Sequence, residues 1–507
     1  MPRRGSEPEQ LWRPPDEAPV AASEWRGMPL EFREWVVAIL LRNKDLMIRL
    51  DKNSHNSHQP PSRDRSEAKE KTNNRNRRAD KKRRRPGGQK GHPGHQRPLV
   101  PPERVDVQVE HYPQECRRCA RDIRHEAPDP EPLHHQIAEI PTITPKVTDH
   151  VLHRITCPDC NTTTTARLPD DIPKACFGPN LRSLVVLLSG RFRISRRETV
   201  ELCRDVFGVS VSVGCIAAIL ARLGDALAAP YDEVASAVPS SPVAYMDETG
   251  WRQKGKALHL SILVVAFAVL FRIGRRTKGV AQQMLGKNYQ GTVVSDRYAG
   301  YRWLPDERHQ VCWSHLVRNF EELVERGGEA KKIGDACQKV SKDLFAIWHA
   351  YKDGRIRWET MQQRMVDVEL RMGRLLEHGS GSRNAAAKRL CESLRRIEPS
   401  LFVFARVQGV EPTNNTGERG IRPAVQWRKI CFGTQSRGGS RFVERILTVV
   451  ATCRQQERPL LPYLRAVIVA MDSGLEIPSL VGAGMKEEPR AHGPSPPSRA
   501  AKIKKAG

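Results

Sequence analysis

The stretch VAYMDETGW, residues 243–251, decides the fold that the rest of the chain has to fit. Its apolar residues after Pro242 predict a buried strand that stops at the acidic pair Asp247 and Glu248, just before Gly250. A buried carboxylate costs several kcal/mol unless a metal ion or a partner compensates its charge. Either the two acids form the turn of an ordinary hairpin, or the strand ends in a charged site.

A second predicted core strand, GTVVSD at residues 291–296, also ends on an acid. Between the two acids, residues 257–272 predict two further strands, and Thr277 can cap a short helix. Three strands, a helix and a fourth strand bring Asp247 and Asp296 to the same edge of a mixed sheet. Carboxylate oxygens at such an edge can hold Mg²⁺.

Composition limits the class of protein. The chain of 507 residues has 84 Lys or Arg and 58 Asp or Glu, a net charge of +26, which favours a nucleic acid or an anionic membrane surface as partner. Residues 1–27 contain no signal-peptide pattern, and the longest apolar run, residues 257–271, is shorter than the roughly 20 residues of a membrane-spanning helix. We therefore expect a soluble intracellular protein of roughly three domains. Its 12 cysteines in so long a chain are not a disulfide framework.

The N-terminal part is polar and basic. Residues 1–27 predict disorder, and residues 28–50 predict one amphipathic helix that pairs with a second copy or docks on its own chain. Residues 51–100 predict a basic disordered arm and linker, because between Arg63 and Arg97 fourteen Lys or Arg stand against four Asp or Glu. Such a block is typical of an arm that lies along phosphates. A merely solvated linker is the alternative.

Two Cys-x-x-Cys pairs lie within residues 101–175. The pairs Cys116 with Cys119, and Cys157 with Cys160, flank predicted strands, and four thiolates at this spacing predict a structural Zn²⁺ site with no open position. The long gap between the pairs favours a ribbon with a hairpin insert. One nearby histidine could replace a cysteine as ligand; the candidates are His134, His135, His150 and His153.

Residues 176–230 predict helices. Ser195 and Glu198 form a capping box for one helix, Gly208 breaks the chain, and Ser210 or Ser212 caps the next helix. A helix, a short glycine turn and a helix are typical of a DNA-reading helix-turn-helix. A helical hairpin inside the core fits the pattern equally well.

The second half of the chain is largely helical. Residues 321–405 are charged and predict a helical insertion. The stretch EPTNNTGERGIRP, residues 411–423, then starts a helix that Thr413 or an asparagine can cap, with Glu418 in its first two turns. A last amphipathic helix follows at residues 441–455, and residues 473–507 predict a disordered tail.

As an ordered set, the residues between Asp51 and Ile468 resemble the insertion-sequence-66 family of transposases. The most specific pieces are the NSxNS stretch with PPS after it, PGGQKGH at residues 86–92, the two cysteine pairs and Asp247-Glu248-Thr249. The others are Ser295-Asp296 with YAGY at 298–301, CWSH at 312–315 with Arg318 and Phe320, and Asn414-Asn415 with Glu418-Arg419 and Arg422-Pro423.

The resemblance implies an α+β multidomain protein. It would contain a zinc ribbon-like module, a helix-turn-helix-like region and an RNase H-like α/β catalytic core, formed by residues 240–320 and 406–472 and interrupted by the insertion. Asp247, Asp296 and Glu418 would be the catalytic acids of a DDE transposase. They would bind two Mg²⁺ or Mn²⁺ ions, which activate the attacking oxygen and stabilise the leaving oxygen.

The resemblance also implies partners and a location. These are the terminal inverted repeats of the element, the target DNA, further copies of the chain in a synaptic complex and accessory proteins of the same element, with a cytoplasmic, nucleoid-associated location. His315 and Arg318 would contact DNA or pack near the site. Glu248 would support the site from the other side of its strand, and Glu411 is an alternative third ligand.

Three residues depart from the family's usual pattern. Thr413 stands where the family usually has Asp, and Gly417 and Gly420 stand where Ala is usual. Each glycine inside a helix costs up to about 1 kcal/mol relative to alanine, so we expect a less rigid helix around Glu418.

Other functions remain open. One alternative is a zinc-containing transcription regulator that binds DNA without cutting it. The others are an inactive transposase remnant and a nuclease of the same fold that cleaves RNA·DNA hybrids.

Overall fold

The computed structural model describes residue 25 and residues 27–50, 98–128, 130–169 and 172–482. Most of the predicted disordered N-terminus, the basic arm up to residue 97 and the end of the predicted tail lie outside these described residues. Helix α1 (Leu30–Leu50) stands where the sequence predicts an amphipathic helix, and its side chains Phe32 and Trp35 are exposed. The described part as a whole is a mixed α+β protein.

The two cysteine pairs lie in a mostly extended and exposed segment. A two-stranded antiparallel hairpin of β1 (Arg154–Thr156) and β2 (Thr163–Thr165) closes on the second pair. Residues 137–151, whose alternating apolar side chains predict strands, form no strand in this described segment and stay exposed. Their pattern therefore has no partner strand here to bury it.

Both cysteine pairs adopt the same turn. The first cysteine donates its N–H to the carbonyl five residues on, at 2.8 Å for Cys116 and 3.0 Å for Cys157. The residue after each second cysteine, Ala120 or Asn161, has a left-handed φ of 55°. The two pairs therefore share one local backbone geometry.

Helices α2 (Pro179–Gly190), α3 (Arg196–Phe207), α4 (Val213–Ala226) and α5 (Ala228–Ala237) follow. The predicted capping box is present, because Ser195 Oγ accepts from the Glu198 N–H at 3.2 Å and Glu198 Oε2 accepts from the Ser195 N–H at 3.0 Å. Ser212, and not Ser210, caps α4. The apolar side of α4 is buried in the core of the sheet, so these helices dock on the core and a DNA-reading role for them stays a prediction.

The continuous helical stretch Val213–Ser240 is long and apolar enough to cross a membrane. Part of its apolar surface is buried inside the molecule, since Ile216, Leu220, Leu227 and Val234 lie in the core.

A five-stranded sheet lies at the centre of the described chain. Its strands are β3 (Val243–Gln253), β4 (Lys256–Val264), β5 (Val269–Gly274), β6 (Thr292–Ser295) and β7 (His309–Val311). The order is β5-β4-β3-β6-β7, with the first three strands antiparallel to one another and β6 and β7 parallel to β3 and β6. The predicted hairpin over residues 257–272 is therefore present, and helix α6 (Lys278–Leu285) leads to β6 as expected.

The first strand is longer than the sequence predicts. β3 does not stop at Asp247 and Glu248 but continues to Gln253, and both acids pair with β4 through Ile262 and Ser261. The turn follows at Lys254 and Gly255, whose φ values are 48° and 76°, as a two-residue hairpin turn requires. Neither an acidic turn nor a strand end at Asp247 is thus correct for this hairpin.

Helices cover both faces of the sheet. The insertion predicted over residues 321–405 contains α8 (Gly328–Lys352), α9 (Trp358–Ser380), α10 (Ala385–Arg395) and the short α11 (Val403–Arg406). Helix α7 (Trp313–Arg326) begins before it, within the part predicted as core, and runs into it. These helices share one core with Val294 and Val311 of the parallel strands. Helix α12 (Asn415–Cys431) and helix α13 (Arg437–Gln455) pack on the antiparallel strands, and α14 (Leu460–Asp472) completes the opposite face.

The predicted disordered tail begins too early. Residues 473–482 are described and packed, because Leu480 is buried, its N–H donates to Glu233 Oε2 at 2.8 Å, and Tyr463 donates to the Pro478 carbonyl at 3.0 Å. One apolar side chain and a few backbone hydrogen bonds are enough to dock so short a segment. The disorder predicted for the whole tail reflects mainly the composition of residues 483–507.

Candidate active site

The strand register places Asp247 beside Asp296. Tyr245 pairs with Val294 across the parallel strands β3 and β6. Each acid lies two residues further along the chain, Asp247 within β3 and Asp296 directly after β6. Side chains two residues apart point to the same face, and neighbouring strands lie about 4.8 Å apart. The prediction that both carboxylates meet at one edge thus agrees with the register, since β6 ends where β3 continues.

Asp247 is partly buried and lies close to three other acids. Its Oδ1 accepts the N–H of Glu248 at 2.8 Å. Burial, followed by the negative charges of Glu248, Glu418 and Asp296, raises the pKa of Asp247 to about 7, against the lowering effect of that hydrogen bond. The negative charges of Asp296 and Glu418, the two acids predicted to share a site with Asp247, therefore both raise its pKa.

Asp296 is held by its own backbone and by the next strand. Its Oδ1 accepts the Tyr298 N–H at 2.9 Å. The preceding Ser295 donates to the Asp296 carbonyl at 2.9 Å and lies 2.8 Å from Nε2 of the buried His309. Burial lowers the pKa of His309 to about 4, so the imidazole is neutral and acts as a hydrogen-bonding support.

Glu248 belongs to the opposite face of β3, as the sequence analysis expects. Tyr301 donates a hydrogen bond to Glu248. Arg276 Nη2 lies 3.3 Å from Glu248 Oε2 and 3.3 Å from Asp296 Oδ2, and its guanidinium stacks 3.8 Å from the centre of the Tyr298 ring. One cation thus joins the supporting carboxylate to Asp296. This arginine was not among the residues predicted for the site, because its exposed position in a loop carries no sequence signal.

Glu418 comes from α12, whose N-terminus is fixed to the sheet. Asn414 occupies the capping position, but its side chain does not cap the helix. Its Nδ2 instead donates to the Met246 carbonyl at 2.6 Å, and its N–H donates to Cys312 Sγ at 3.2 Å. Asn414 therefore ties the helix that carries Glu418 to the residue before Asp247.

The two unusual glycines let α12 lie close to its neighbours. A Cβ on Gly420 would meet Ile262 Cδ1 at 2.7 Å and Val264 Cγ2 at 3.3 Å on β4. A Cβ on Gly417 would meet Asn414 Oδ1 at 2.6 Å. The expected loss of helix rigidity is therefore only one side of these substitutions, because both positions lack room for an additional methyl group.

Two basic side chains of α7 face Glu418. His315 Nδ1 and Arg318 Nη2 each lie 3.7 Å from Glu418 Oε1. Together with Cys312, the residues His315 and Glu418 place one ligand atom each within 4.8 Å of one another, and no other group of three such residues in the described chain does so. Cys312 was not among the predicted site residues, although it stands three residues before His315 in the CWSH stretch.

The other predicted ligands lie elsewhere. Glu411, the alternative third acid, has its Oε1 3.4 Å from Lys352 Nζ in the insertion. The four cysteines Cys116, Cys119, Cys157 and Cys160 are described, yet no three of their sulfur atoms lie within 4.8 Å of one another. Hydrogen bonds from the backbone of residues 118 and 119 lower the pKa of Cys116, and hydrogen bonds from Thr162 lower the pKa of Cys160; the other thiol of each pair adds a smaller effect.

The three acids suit a divalent cation. Glu418 Oε1 is buried and has no hydrogen-bond partner in the described structure, and Asp247 is held close to other negative charges. Hard carboxylate oxygens are the ligands that Mg²⁺ and Mn²⁺ take. A cation at Asp247, Asp296 and Glu418 would compensate this repulsion.

Comparison with known proteins places these acids within one family profile. The profile described as "Transposase IS66 family" matches residues 174–441, a range that contains Asp247, Asp296 and Glu418. Residues 8–98 match a family of unknown function, DUF6444. A relative in Sinorhizobium fredii, "Uncharacterized protein y4qI", is 24% identical over 317 residues, which cover 55% of this chain and 56% of the relative. The chain thus matches little more than half the length of that relative.

Proposed function

The chain belongs to the IS66 family of transposases, and from this premise we propose that it binds the terminal repeats of its insertion sequence and catalyses metal-dependent DNA cleavage and strand transfer. Asp247, Asp296 and Glu418 form the catalytic centre in this proposal. The observation that carries it is their convergence. Three carboxylates from three separate elements, β3, the end of β6 and α12, lie close enough for Glu418 and Asp296 to raise the pKa of Asp247.

We propose an RNase H-like catalytic core for this centre. Support comes from the sheet order β5-β4-β3-β6-β7, with three antiparallel strands followed by two parallel ones. In this arrangement the long insertion between β7 and α12 interrupts the core without separating the acids. Helix α12 returns to β3 and β4, where Glu418 comes to face Asp247.

Each acid has a distinct part in the proposed reaction. Asp247 is the carboxylate whose pKa both of the other acids affect, and Asp296 and Glu418 would complete the set of metal ligands. When bound, two divalent ions activate the attacking water or 3′-hydroxyl and stabilise the leaving oxygen. Asn414 and the Ser295–His309 pair keep Glu418 and Asp296 in position, and the positive charges of Arg276 and Arg318 lie where a DNA phosphate would approach.

DNA binding away from the centre is assigned to the N-terminal half. The basic residues 63–97 bind phosphates along the duplex. The two cysteine pairs together bind one structural Zn²⁺, which requires that the two similar turns lie next to each other. The helices within residues 176–230 contribute a further DNA surface. The protein would act in the cytoplasm on the nucleoid, as an oligomer that joins two ends of the element, with accessory proteins of the same element where these are required.

Strand transfer tests this proposal directly. Purified protein is mixed with labelled DNA that carries the element's ends, with Mg²⁺ added or withheld. Wild type is compared with Glu418→Gln and Asp247→Asn, and Glu411→Gln is the matched control because it removes a nearby acid that is paired with Lys352. We expect a Mg²⁺-dependent joined product from wild type and from the control, and none from the other two variants.

DNA binding by the same proteins separates the alternatives. Specific binding without cleavage by wild type would support the transcription regulator or an inactive remnant. Cleavage of RNA·DNA hybrids without joined DNA would support the nuclease. Loss of joining with unchanged binding in Asp247→Asn would support the transposase.

A further inference from the structure

Cys312, His315 and Glu418 form a compact group whose chemistry differs from that of three carboxylates. Cys312 follows β7 and precedes α7, and His315 lies three residues further on, so both side chains share one side of the first helical turn. Glu418 reaches them from α12, whose first residues are tied to Cys312 by the Asn414 N–H at 3.2 Å from Sγ. The three ligand atoms lie within 4.8 Å of one another.

One of these separations is close to that of neighbouring ligands in a tetrahedral metal site, and the other two are no longer than 4.8 Å. Zinc bonds of about 2.0 to 2.3 Å to nitrogen, oxygen and sulfur place neighbouring ligand atoms about 3.5 Å apart. His315 Nδ1 and Glu418 Oε1 are already 3.7 Å apart. Small rotations of these side chains therefore suffice to bind an ion, with the fourth position left for water.

Two of the three ligand atoms make no hydrogen bond. His315 Nδ1 and Glu418 Oε1 are buried without a hydrogen bond in the described structure, although an unsatisfied buried polar atom destabilises the fold. A neutral imidazole can offer its ring nitrogen to a metal ion.

The donor types select the metal. A thiolate and an imidazole suit Zn²⁺, whereas Mg²⁺ prefers oxygen ligands. Arg318 opposes a cation here because its Nη2 lies 3.7 Å from Glu418 Oε1. Its side chain is 30% exposed, so it can turn towards solvent when an ion binds.

We propose that Cys312, His315 and Glu418 bind Zn²⁺ and that this ion inhibits the protein by withholding Glu418 from Asp247 and Asp296. Zinc binding displaces the thiol proton of Cys312 to solvent and leaves Glu418 coordinated on the α7 side. The inhibitory consequence rests on the proposed function, whereas the binding of zinc does not. The site is separate from the two cysteine pairs of the N-terminal half.

Cobalt binding tests the site without any need for activity. Full-length protein is titrated with Co²⁺, whose bond to a thiolate gives a charge-transfer absorption. We expect Cys312→Ser and His315→Ala each to bind one equivalent fewer than wild type, while Cys431→Ser, which removes an exposed thiol at the end of α12, binds as wild type does. Circular dichroism confirms the fold of each variant. Equal stoichiometry in all four proteins would overturn the proposal.

Zinc inhibition of strand transfer tests the consequence. Each protein is assayed in Mg²⁺ with increasing Zn²⁺, and its rate is divided by its own rate without zinc. Because one of three ligands is lost, we expect Cys312→Ser to need at least about tenfold more zinc for half inhibition than Cys431→Ser. Equal zinc sensitivity of the two variants would refute inhibition through this site.

The two proposals fail in different ways. Absence of joined product from wild type in Mg²⁺, with Cys312-dependent cobalt binding intact, would refute the transposase and leave the zinc site supported. Joined product without Cys312-dependent cobalt binding would support the transposase and refute the zinc site.

Discussion

The carboxylate of Asp247 lies near other acids and destabilises the folded protein by an amount that depends on pH. Its pKa is raised from 3.8 to about 7, first by burial and then by neighbouring negative charge. The folded protein therefore holds a proton at Asp247 that the unfolded chain releases between these pH values. The free energy of unfolding falls as pH rises from about 4 to about 7, and the full cost applies above pH 7.

Replacing this charge should stabilise the protein when no divalent ion is present. We expect Asp247→Asn to raise the free energy of unfolding at pH 8 by up to about 4 kcal/mol, because three pKa units correspond to that amount, and to have little effect at pH 4. Urea unfolding in EDTA across this pH range measures it. Asp232→Asn, at an exposed acid of α5, is the control. An equal effect of Asp247→Asn at both pH values would contradict the electrostatic explanation.

Arg276 occupies the place of a competing cation. Because its guanidinium lies 3.3 Å from both Glu248 and Asp296, it repels a divalent ion that approaches Asp296. We expect Arg276→Gln to tighten Mn²⁺ binding about five- to tenfold, as measured by electron paramagnetic resonance. Arg275→Gln removes the same charge one position away and should change the affinity less. Weaker Mn²⁺ binding in Arg276→Gln would mean that Arg276 organises the acids more than it competes with the ion.

The sequence yields three candidate acids, whose catalytic role stays a prediction, but it does not yield the residues that contact them. Asp247 and Asp296 follow apolar runs that mark core strands, so their meeting could be derived from the order of strands. Glu418 was carried over through the resemblance. Asn414, Cys312 and Arg276 act through contacts between segments far apart in the chain, such as Asn414 with Met246, and no local pattern encodes such contacts.

At the scale of elements, α12 depends on how closely it approaches β4. Glycine lowers helix propensity by about 1 kcal/mol relative to alanine, yet a Cβ at Gly420 would lie 2.7 Å from Ile262 Cδ1. Packing between the helix and the strand thus explains a residue that helix propensity alone would disfavour. The contact between α12 and β4 could not be predicted, because a single sequence does not show which strand packs against which turn of a helix.

A methyl group at position 420 should therefore push α12 away from β4. We expect Gly420→Ala to lower strand transfer about tenfold or more, since a shift of about 1 Å in a catalytic group costs that much, and to bring no gain in melting temperature. Ile262→Val removes the clashing Cδ1, so the double variant should recover most of the activity. Gly214→Ala in α4 is the control, because its nearest neighbour is Ser212 Oγ at 3.8 Å. Activity of Gly420→Ala equal to wild type would show that α12 adapts without moving Glu418.

For the whole molecule, the net charge of +26 makes DNA affinity a function of salt. Eight Lys or Arg lie between Arg75 and Arg85, and each contact with a phosphate contributes about 0.9 to the slope of log affinity against log salt. Replacing these residues with a Gly-Ser segment of equal length should flatten that slope by up to about 7. A shuffled segment with the same residues should keep the slope. Equal slopes for the Gly-Ser and shuffled proteins would exclude this arm from DNA binding.

The insertion leaves the core and returns to it at nearly the same point. Before the insertion, the Trp313 N–H donates at 2.9 Å to the carbonyl of Pro412, which follows the insertion. Beside this contact the Asn414 N–H donates to Cys312 Sγ. A segment closed in this way changes its length at little entropic cost to the scaffold. Evolution can therefore lengthen, shorten or replace the helices between these two residues. The position of Glu418 relative to Asp296 in the folded protein would stay the same.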